Sequence, residues 1–342
     1  MVSRLPVVAL TGPLGSGKTT LLNHLLRRPA ARVGVIVNDL GEINVDAGLL
    51  TGHIDAAASL AGGCVCCLDD SGGLDEALER LSDPRLRLDV VVLEASGVAE
   101  PLTLARLIRF SGVERVRPGG HVDVVDATRA EEVLDERGAP PARFAVATLV
   151  AITKTDLLPA EARDGVVARL RARIAEVNPT ALVVEAPRGR LDPELVYDVA
   201  ADAAHPAVEE SGQYVLDLGA PGRDGGHHVH AVAVSVDAAG PVAPGAVLDV
   251  LEDPPPGVYR MKGVVEVATP RGTRHYELHR VGTQLHAATH RGAPPARSHL
   301  VAIGERLDRD EVHRALVRAL APASGSDAAG FARLQRRRRL SL

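Results

Sequence analysis

Two lysine-bearing loops and one cluster of thiols hold the side chains of this sequence that can do chemistry. The first loop, Gly12-Pro13-Leu14-Gly15-Ser16-Gly17-Lys18-Thr19-Thr20, fits the pattern G-x-x-x-x-G-K-[ST] between an apolar run and a helical one. In that setting glycines let successive backbone N–H groups approach phosphate oxygens closely. Lys18 would reach the β- and γ-phosphates, and the Thr19 hydroxyl would hold Mg²⁺. Glu94 ends the run LDVVVLE at 88–94, where a phosphate-loop protein places its second carboxylate, on the Mg²⁺ side. Gly97, three residues on, can offer a backbone N–H to a γ-phosphate. Lys18, Thr19 and Glu94 are therefore the expected catalytic groups.

The second loop, Thr153-Lys154-Thr155-Asp156, follows the apolar run 148–153. Asp156 can accept two hydrogen bonds from guanine, at N1–H and the exocyclic amine, while the Lys154 stem packs on the purine face. Adenine presents no matching donors, and a site built for such donors discriminates by roughly 10⁴ or more. The expected ligands are GTP and GDP. Among 39 Lys and Arg residues, lysine stands only at 18, 154 and 262. A chain that takes Arg wherever either serves keeps Lys where a compact ammonium on a slim stem is needed. Two of the three fall in these loops; the role of Lys262 is not readable from sequence.

The chain's three cysteines, Cys64, Cys66 and Cys67, lie together in GGCVCC at 62–67. Three thiolates in an extended loop select Zn²⁺, Cu(I) or a similar soft ion over Mg²⁺ and leave a fourth position exchangeable. A redox switch on the vicinal Cys66 and Cys67 is the other chemistry open to them. Without an export signal, either role is preferred over structural disulfides.

The elements that must position these groups follow from hydrophobic periodicity. Val-rich runs at 5–11, 32–38, 88–94, 121–127, 148–153 and 180–186 alternate with helical stretches such as 74–81 and 160–177. That alternation predicts an α/β domain over 1–205, with a mostly parallel sheet covered by helices on both faces. Residues 206–228, rich in Gly, Pro and charge, read as a linker. His227, His228 and His230 there are either a solvated loop or a short metal-collecting tract. A smaller α/β domain is expected over 229–322, with strands at 229–236, 257–268, 273–281 and 299–303 and helices at 244–252 and 308–320. Residues 323–342, with four arginines at 336–339, read as a disordered basic tail, solvated or meeting an anionic partner.

Composition narrows the partners. The 342 residues suffice for two cores, which must be aliphatic because the chain has four Tyr, three Phe and no Trp. A net charge of −5 argues against nucleic acid. No apolar run is long enough to span a membrane, and the first apolar run reads as a strand and not as a signal peptide. The expected compartment is the cytoplasm.

Taken in order, the motifs resemble the CobW-like metallochaperone GTPases, the zinc-transfer and metalloenzyme-activator members of the CobW/UreG/HypB group. The matching stretches are GPLGSGKTTLLNHLL (12–26), VIVNDLGEINVD (35–46), GGCVCC (62–67), VVLEASGVAEP (91–101), VVDA (124–127) and ITKTD (152–156). In the second domain they are YRMKGVVEV (259–267) and HLVAIGERLDRDEV (299–312). The resemblance implies a SIMIBI-type P-loop GTPase domain with a CobW-type C-terminal domain. It further implies slow, Mg²⁺-dependent GTP hydrolysis and a Zn²⁺ or Co²⁺ cargo handed to a client apo-metalloprotein. Glu42 is implied as a metal ligand beside Cys64, Cys66 and Cys67, and Asp46 as a switch-region acid that joins Thr19 and Glu94 on the Mg²⁺ side. Asp39 and Leu40 stand where the family carries Glu and Phe. An activator of a cobalt or iron enzyme such as nitrile hydratase fits the same resemblance, as does a non-transferring metal sensor or buffer. A homodimer is compatible with it.

Overall fold

The computed structural model describes residues 4–26, 31–37, 56–59, 72–95, 100–134, 141–197 and 231–341. They fall into two compact units, one up to residue 197 and one from residue 231. Among the described residues no helix is long and apolar enough to cross a membrane.

In the first unit the described strands are β1 Leu5–Thr11, β2 Val33–Val37, β3 Ala56–Ser59, β4 Val90–Glu94, β5 Val116–Asp126, β6 Leu149–Thr153 and β7 Leu182–Ala186. They form one sheet in the order β3-β2-β4-β1-β5-β6-β7, with every pairing parallel. Every residue of β1, β2, β4 and β6 is buried. This is why those runs are continuously apolar and not alternating: both faces of each strand are covered. The helices are α1 Lys18–Leu26, α2 Gly72–Leu81, α3 Pro101–Arg109, α4 Ala130–Leu134 and α5 Ala160–Val177. Leu74, Leu78, Leu104 and Ile108 of α2 and α3 share a core with Val7, Val91 and Leu93. Leu170 and Ile174 of α5 share another with Val125, Val150, Ile152 and Phe144. Each such side chain contributes about 1.5–3 kcal/mol of burial.

Parallel pairing brings the C-terminal ends of β1, β4, β5 and β6 to one edge of the sheet. Thr11, Glu94, Asp126 and Thr153 therefore emerge together. β1 lies between β4 and β5, where the strand order changes direction, and open α/β sheets bind ligands in that crevice. β5 begins at Val116, earlier than its Val-rich run suggests, because a register shift between Val7 and Val8 accommodates the Pro118-Gly119-Gly120 stretch. The edge strand β3 is alanine-rich and lacks the β-branched signal that would announce it.

The second unit is an antiparallel sheet in the order β11-β10-β9-β12-β8. Its strands are β8 Val232–Ala238, β9 Val258–Thr269, β10 Gly272–Val281, β11 Gln284–Thr289 and β12 Ser298–Gly304. Its helices are α6 Pro244–Glu252, α7 Arg309–Ala319 and α8 Ala328–Leu340. Leu248, Leu316 and Leu334 from the helices meet Met261, Val265, Tyr276 and Leu300 from the sheet in one core.

The expectation of a disordered tail over 323–342 is overturned, since α8 occupies most of it. Asp327 caps the helix, accepting from the N–H of Gly330 at 2.8 Å and from that of Gly245 in α6 at 2.7 Å. The two helices touch through backbone, because a Cβ on Gly330 would lie 2.3 Å from the Gly245 nitrogen. Of the four arginines at 336–339, Arg337 reaches Glu252, and Arg333, one turn earlier, reaches Asp249 and Glu252. Burial opposes ionisation of Glu252, but Arg333 and Arg337 still hold its carboxyl below the usual range. The helix keeps only a thin apolar stripe, with Leu334 at 1% exposure. Leu334→Ala should therefore destabilise the second unit by roughly 2–5 kcal/mol, read from urea unfolding. A disordered tail would make the same substitution silent.

Candidate functional site

The turn from β1 into α1 holds the residues that the sequence reading expects to form a phosphate loop. Gly12, Gly15 and Gly17 have φ of 139°, 76° and 99°. Position 12 admits only glycine, because a Cβ there would lie 2.4 Å from the carbonyl oxygen of Val124 in β5. The loop closes through the Ser16 N–H on the Pro13 carbonyl at 3.2 Å, and α1 starts at Lys18. The first N–H groups of a helix have no intrahelical partners and favour an anion. Pro13 is half-buried, Leu14 and Gly15 are exposed, and Thr20 turns an exposed side chain outward from α1.

The expected catalytic groups meet at this turn. Lys18 is buried, and its Nζ donates to the loop carbonyls of Gly12 at 2.9 Å and Pro13 at 3.1 Å. The Thr19 hydroxyl donates to Glu94 Oε1 at 2.7 Å. Glu94 is 3% exposed and is brought there by the pairing of β4 with β1, Glu94 opposite Leu10.

The second lysine loop grips the first. Thr153 Oγ1 donates to the carbonyl of Ser16 at 2.6 Å and stands 3.0 Å from that of Val125. Lys154, in the left-handed region at φ 57°, donates to the Gly15 carbonyl at 2.7 Å and to Asp126 Oδ2 at 2.6 Å. Burial opposes ionisation of Asp126, yet the hydrogen bonds from Lys154 and Thr128 hold its carboxyl below the usual range. Asp156 lies on the turn Thr155–Leu157. Its Oδ1 accepts from the Arg188 N–H at 3.0 Å, and the Arg188 guanidinium approaches Oδ2 at 3.7 Å. A cleft of about 150 Å³ adjoins the loop between Pro13, Leu14, Ser16, Asp126 and Arg143.

Below the loop lies a buried polar cluster absent from the sequence reading. Thr11 Oγ1 donates to Asp123 Oδ2 at 2.9 Å and stands 2.8 Å from His121 Nε2. One hydroxyl proton cannot serve both neighbours, so while Thr11 donates to Asp123 the neutral His121 donates from Nε2 and carries a bare Nδ1. Its pKa agrees, pushed down to about 4 by burial. Burial raises Asp123, against the pull of Arg143, Thr11 and Lys18; Arg143 Nε stands 3.3 Å from Asp123 Oδ1.

The structure thus joins Lys18, Thr19, Glu94, Thr153 and Lys154 around the loop and places Asp156 against Arg188. Gly97, Glu42, Asp46, Cys64, Cys66, Cys67, His227, His228 and His230 lie outside the described residues. Sequence reasoning missed Asp126, Arg188, Thr11, His121, Asp123 and Arg143. One signal was available: His121, Asp123 and Asp126 interrupt an otherwise apolar strand, and buried polar groups in such a place need partners.

A histidine held neutral in the fold binds its proton more readily when unfolded. It contributes stability above the ordinary histidine pKa, and that contribution drains as pH falls from about 6.5 towards 4. His121→Gln should lose less stability over this window than wild type, by an amount on the order of 3 kcal/mol. Asp123 is present in both proteins, so the difference between the curves reports the histidine together with its coupling to Asp123 through Thr11. Paired urea titrations at pH 7 and pH 4.5 check this, and parallel curves would refute it.

Residues 6–185 match the family described as "CobW/HypB/UreG, nucleotide-binding domain", and residues 231–320 match "Cobalamin synthesis protein cobW C-terminal domain". The zinc chaperone YjiA of Escherichia coli is 31% identical over 199 residues, 56% of this chain and 60% of that protein. The zinc-regulated GTPase metalloprotein activator 1 of Schizosaccharomyces pombe is 32% identical over 201 residues, 55% of this chain and 47% of that protein. The zinc chaperone CobW of Pseudomonas aeruginosa is 32% identical over 236 residues, 59% of this chain and 62% of that protein. The chain thus spans less than two thirds of the length of each of these relatives. Among solved structures, Zn(II)-bound YjiA GTPase from E. coli superposes with a TM-score of 0.44 at 22% identity, covering 92% of this chain and 99% of that one. With its first unit matched over 180 residues of this kind, the chain belongs to the CobW/HypB/UreG nucleotide-binding family and bears the CobW C-terminal domain.

Proposed function

We propose that the protein is a GTP-hydrolysing metallochaperone that carries Zn²⁺, or a similar transition metal such as Co²⁺, and hands it to a client apo-metalloprotein. One observation carries the nucleotide half: Thr19 of the phosphate loop donates to Glu94 at 2.7 Å, while Lys154 of the base loop donates to Gly15 of the same turn. Family membership and relatives named zinc chaperones support the metal half, together with three thiols confined to 64–67. A cytoplasmic workplace suits thiols that must stay reduced, and a net charge of −5 argues against a nucleic-acid partner.

The Thr19 hydroxyl and Glu94 carboxylate present adjacent oxygen donors, the set a hard Mg²⁺ ion takes. When bound, that ion neutralises charge on the β- and γ-phosphate oxygens. The remaining work falls to the chain's own groups. Loop and helix N–H groups hold the phosphates, and Lys18 exchanges the Gly12 and Pro13 carbonyls for phosphate oxygens. A carboxylate offers about four acceptor sites. The Arg188 N–H takes one on Asp156 and fixes its plane, leaving others for the guanine N1–H and amine. Asp126 and Gly15 anchor the Lys154 ammonium, so its stem is placed to flank the base. Water then attacks the γ-phosphorus and GDP leaves, with positioning and charge neutralisation supplying the acceleration.

Energetics shape the transfer step. A thiolate zinc site holds its ion by roughly 10–16 kcal/mol, whereas allosteric coupling between sites is typically about 1–3 kcal/mol. Nucleotide exchange alone cannot expel the ion into water. Transfer must proceed by direct ligand exchange with a docked client, the nucleotide gating access to Cys64, Cys66 and Cys67. Glu42 and Asp46, just before the thiols in sequence, would join metal and Mg²⁺ chemistry.

Two measurements test this reading. Asp156→Asn should weaken GTP and admit xanthine nucleotide, whose extra carbonyl suits an amide donor; equal turnover of ATP and GTP by the wild type would end the guanine assignment. Calorimetric Zn²⁺ titrations with GDP and with a non-hydrolysable GTP analogue should differ by about 10- to 100-fold, tighter with the analogue. Lys18→Ala should abolish that difference. Equal affinities in the two nucleotide states would favour a metal buffer over a chaperone.

A further inference from the structure

Histidines gather on one hairpin of the second unit, on the sheet face opposite its helices. Four of the chain's 13 histidines, His275, His279, His286 and His290, fall within residues 275–290. β10 and β11 pair with His279 directly opposite His286 and Glu277 opposite Ala288. Alternation along each strand then puts all four histidines and Glu277 on one side. The other side is core, with Tyr276, Leu278 and Ala287 each at 1% exposure.

Two of the four rings face one another. The centroids of His279 and His286 are 6.2 Å apart, with ring planes inclined at 47°. An ion held about 2.0–2.1 Å from a ring nitrogen sits roughly 3.3 Å from that ring's centroid, so it serves two rings roughly 5.3 Å apart at a tetrahedral angle and at most roughly 6.5 Å apart in line. The pair stands at 6.2 Å, so closing on a tetrahedral ion draws the rings together by about 1 Å. His290 is committed elsewhere, its Nδ1 2.7 Å from Glu277 Oε1 and its Nε2 3.0 Å from the Ala293 carbonyl.

We propose that His279 and His286 form a cross-strand two-imidazole site for a borderline divalent transition ion of the Zn²⁺, Ni²⁺, Co²⁺ or Cu²⁺ class, with water completing its coordination. Imidazole nitrogens suit these ions, whereas Mg²⁺ and Ca²⁺ take oxygen. Directly opposed positions on a paired hairpin are held in register by the backbone, which reduces the ordering that binding requires. Among the described residues no three His, Cys, Asp or Glu side chains converge on a common point. The site is therefore open and exchange-labile, unlike a closed structural centre. Lys262, opposite His279 on β9, puts a like charge beside the ion and weakens it further. The proposal requires neither the nucleotide reading nor the thiols.

The test uses the full chain with Cys64, Cys66 and Cys67 replaced by serine, titrated with Ni²⁺ by calorimetry. One saturable event per chain is expected. His279→Asn and His286→Asn should each weaken it roughly tenfold or more, while His290→Asn leaves it in place. Lys262→Gln should tighten it, a gain that misfolding cannot produce. Absence of a saturable event overturns the proposal. So does an affinity indifferent to both His279→Asn and His286→Asn, which would locate the ion elsewhere, for example at His227–His230. An affinity that Lys262→Gln leaves unchanged or lowers also counts against it.

Discussion

The nucleotide site depends on how closely the backbone of the β1 turn lies against β5. With the Gly12 Cα pressed on the Val124 carbonyl, the loop sits low enough for β6 to reach it from the side. Thr153 and Lys154 then take the outward carbonyls of Ser16 and Gly15, while Lys18 takes those of Gly12 and Pro13. With the Ser16 and Gly15 carbonyls turned to Thr153 and Lys154, the loop is left to present N–H groups to a ligand, which is what an anion requires. A side chain at position 12 would lift the loop and break these contacts together.

The same strand shows how environment separates two carboxylates only three residues apart. Asp123 is wholly buried beneath the loop, and burial raises its pKa despite Arg143 and Thr11. Asp126, at the strand's end, has Lys154 and Thr128 as donors and stays below the usual range. One therefore resists ionisation while the other is fixed as an anion that anchors a lysine. The cluster of Thr11, His121, Asp123 and Arg143 also ties the strand that enters the loop to its neighbour, so rearrangement of that pair would expose uncompensated polar atoms.

The second unit solves a different problem. An antiparallel sheet can pack one face and leave the other polar, and helices α6, α7 and α8 take the apolar side. α8 is marginal by composition, yet it is held by one buried leucine, a backbone contact between glycines and arginines that find Asp249 and Glu252. Its Gln335 also donates to the hydroxyl of the buried Tyr276 at 2.8 Å. On the opposite face the β10–β11 hairpin presents histidines and Glu277 beside Lys262, while Val301 and Ile303 of β12 are buried there.

Local pattern was enough to place the glycine-rich turn at 12–19, the Val-rich strands beside it, Glu94 at a strand end and the turn at 153–156 after β6. Each is a short-range signal in which spacing along the chain equals spacing in space. The strand over 284–289, the early start of β5 and the helix over 328–340 were not legible, because their reasons lie in partners far along the chain. β11 exists by pairing with β10, and α8 by packing on α6. Arg188 gives no sign in sequence that it belongs to Asp156, and Thr11 gives none that it bridges His121 and Asp123, which lie 110 and 112 residues away. Residue type and spacing determined which groups can do the chemistry. Only the parallel register of β1, β4, β5 and β6 decided which of them meet, because a hydrogen bond needs its two atoms within about 3 Å and no local pattern specifies that distance.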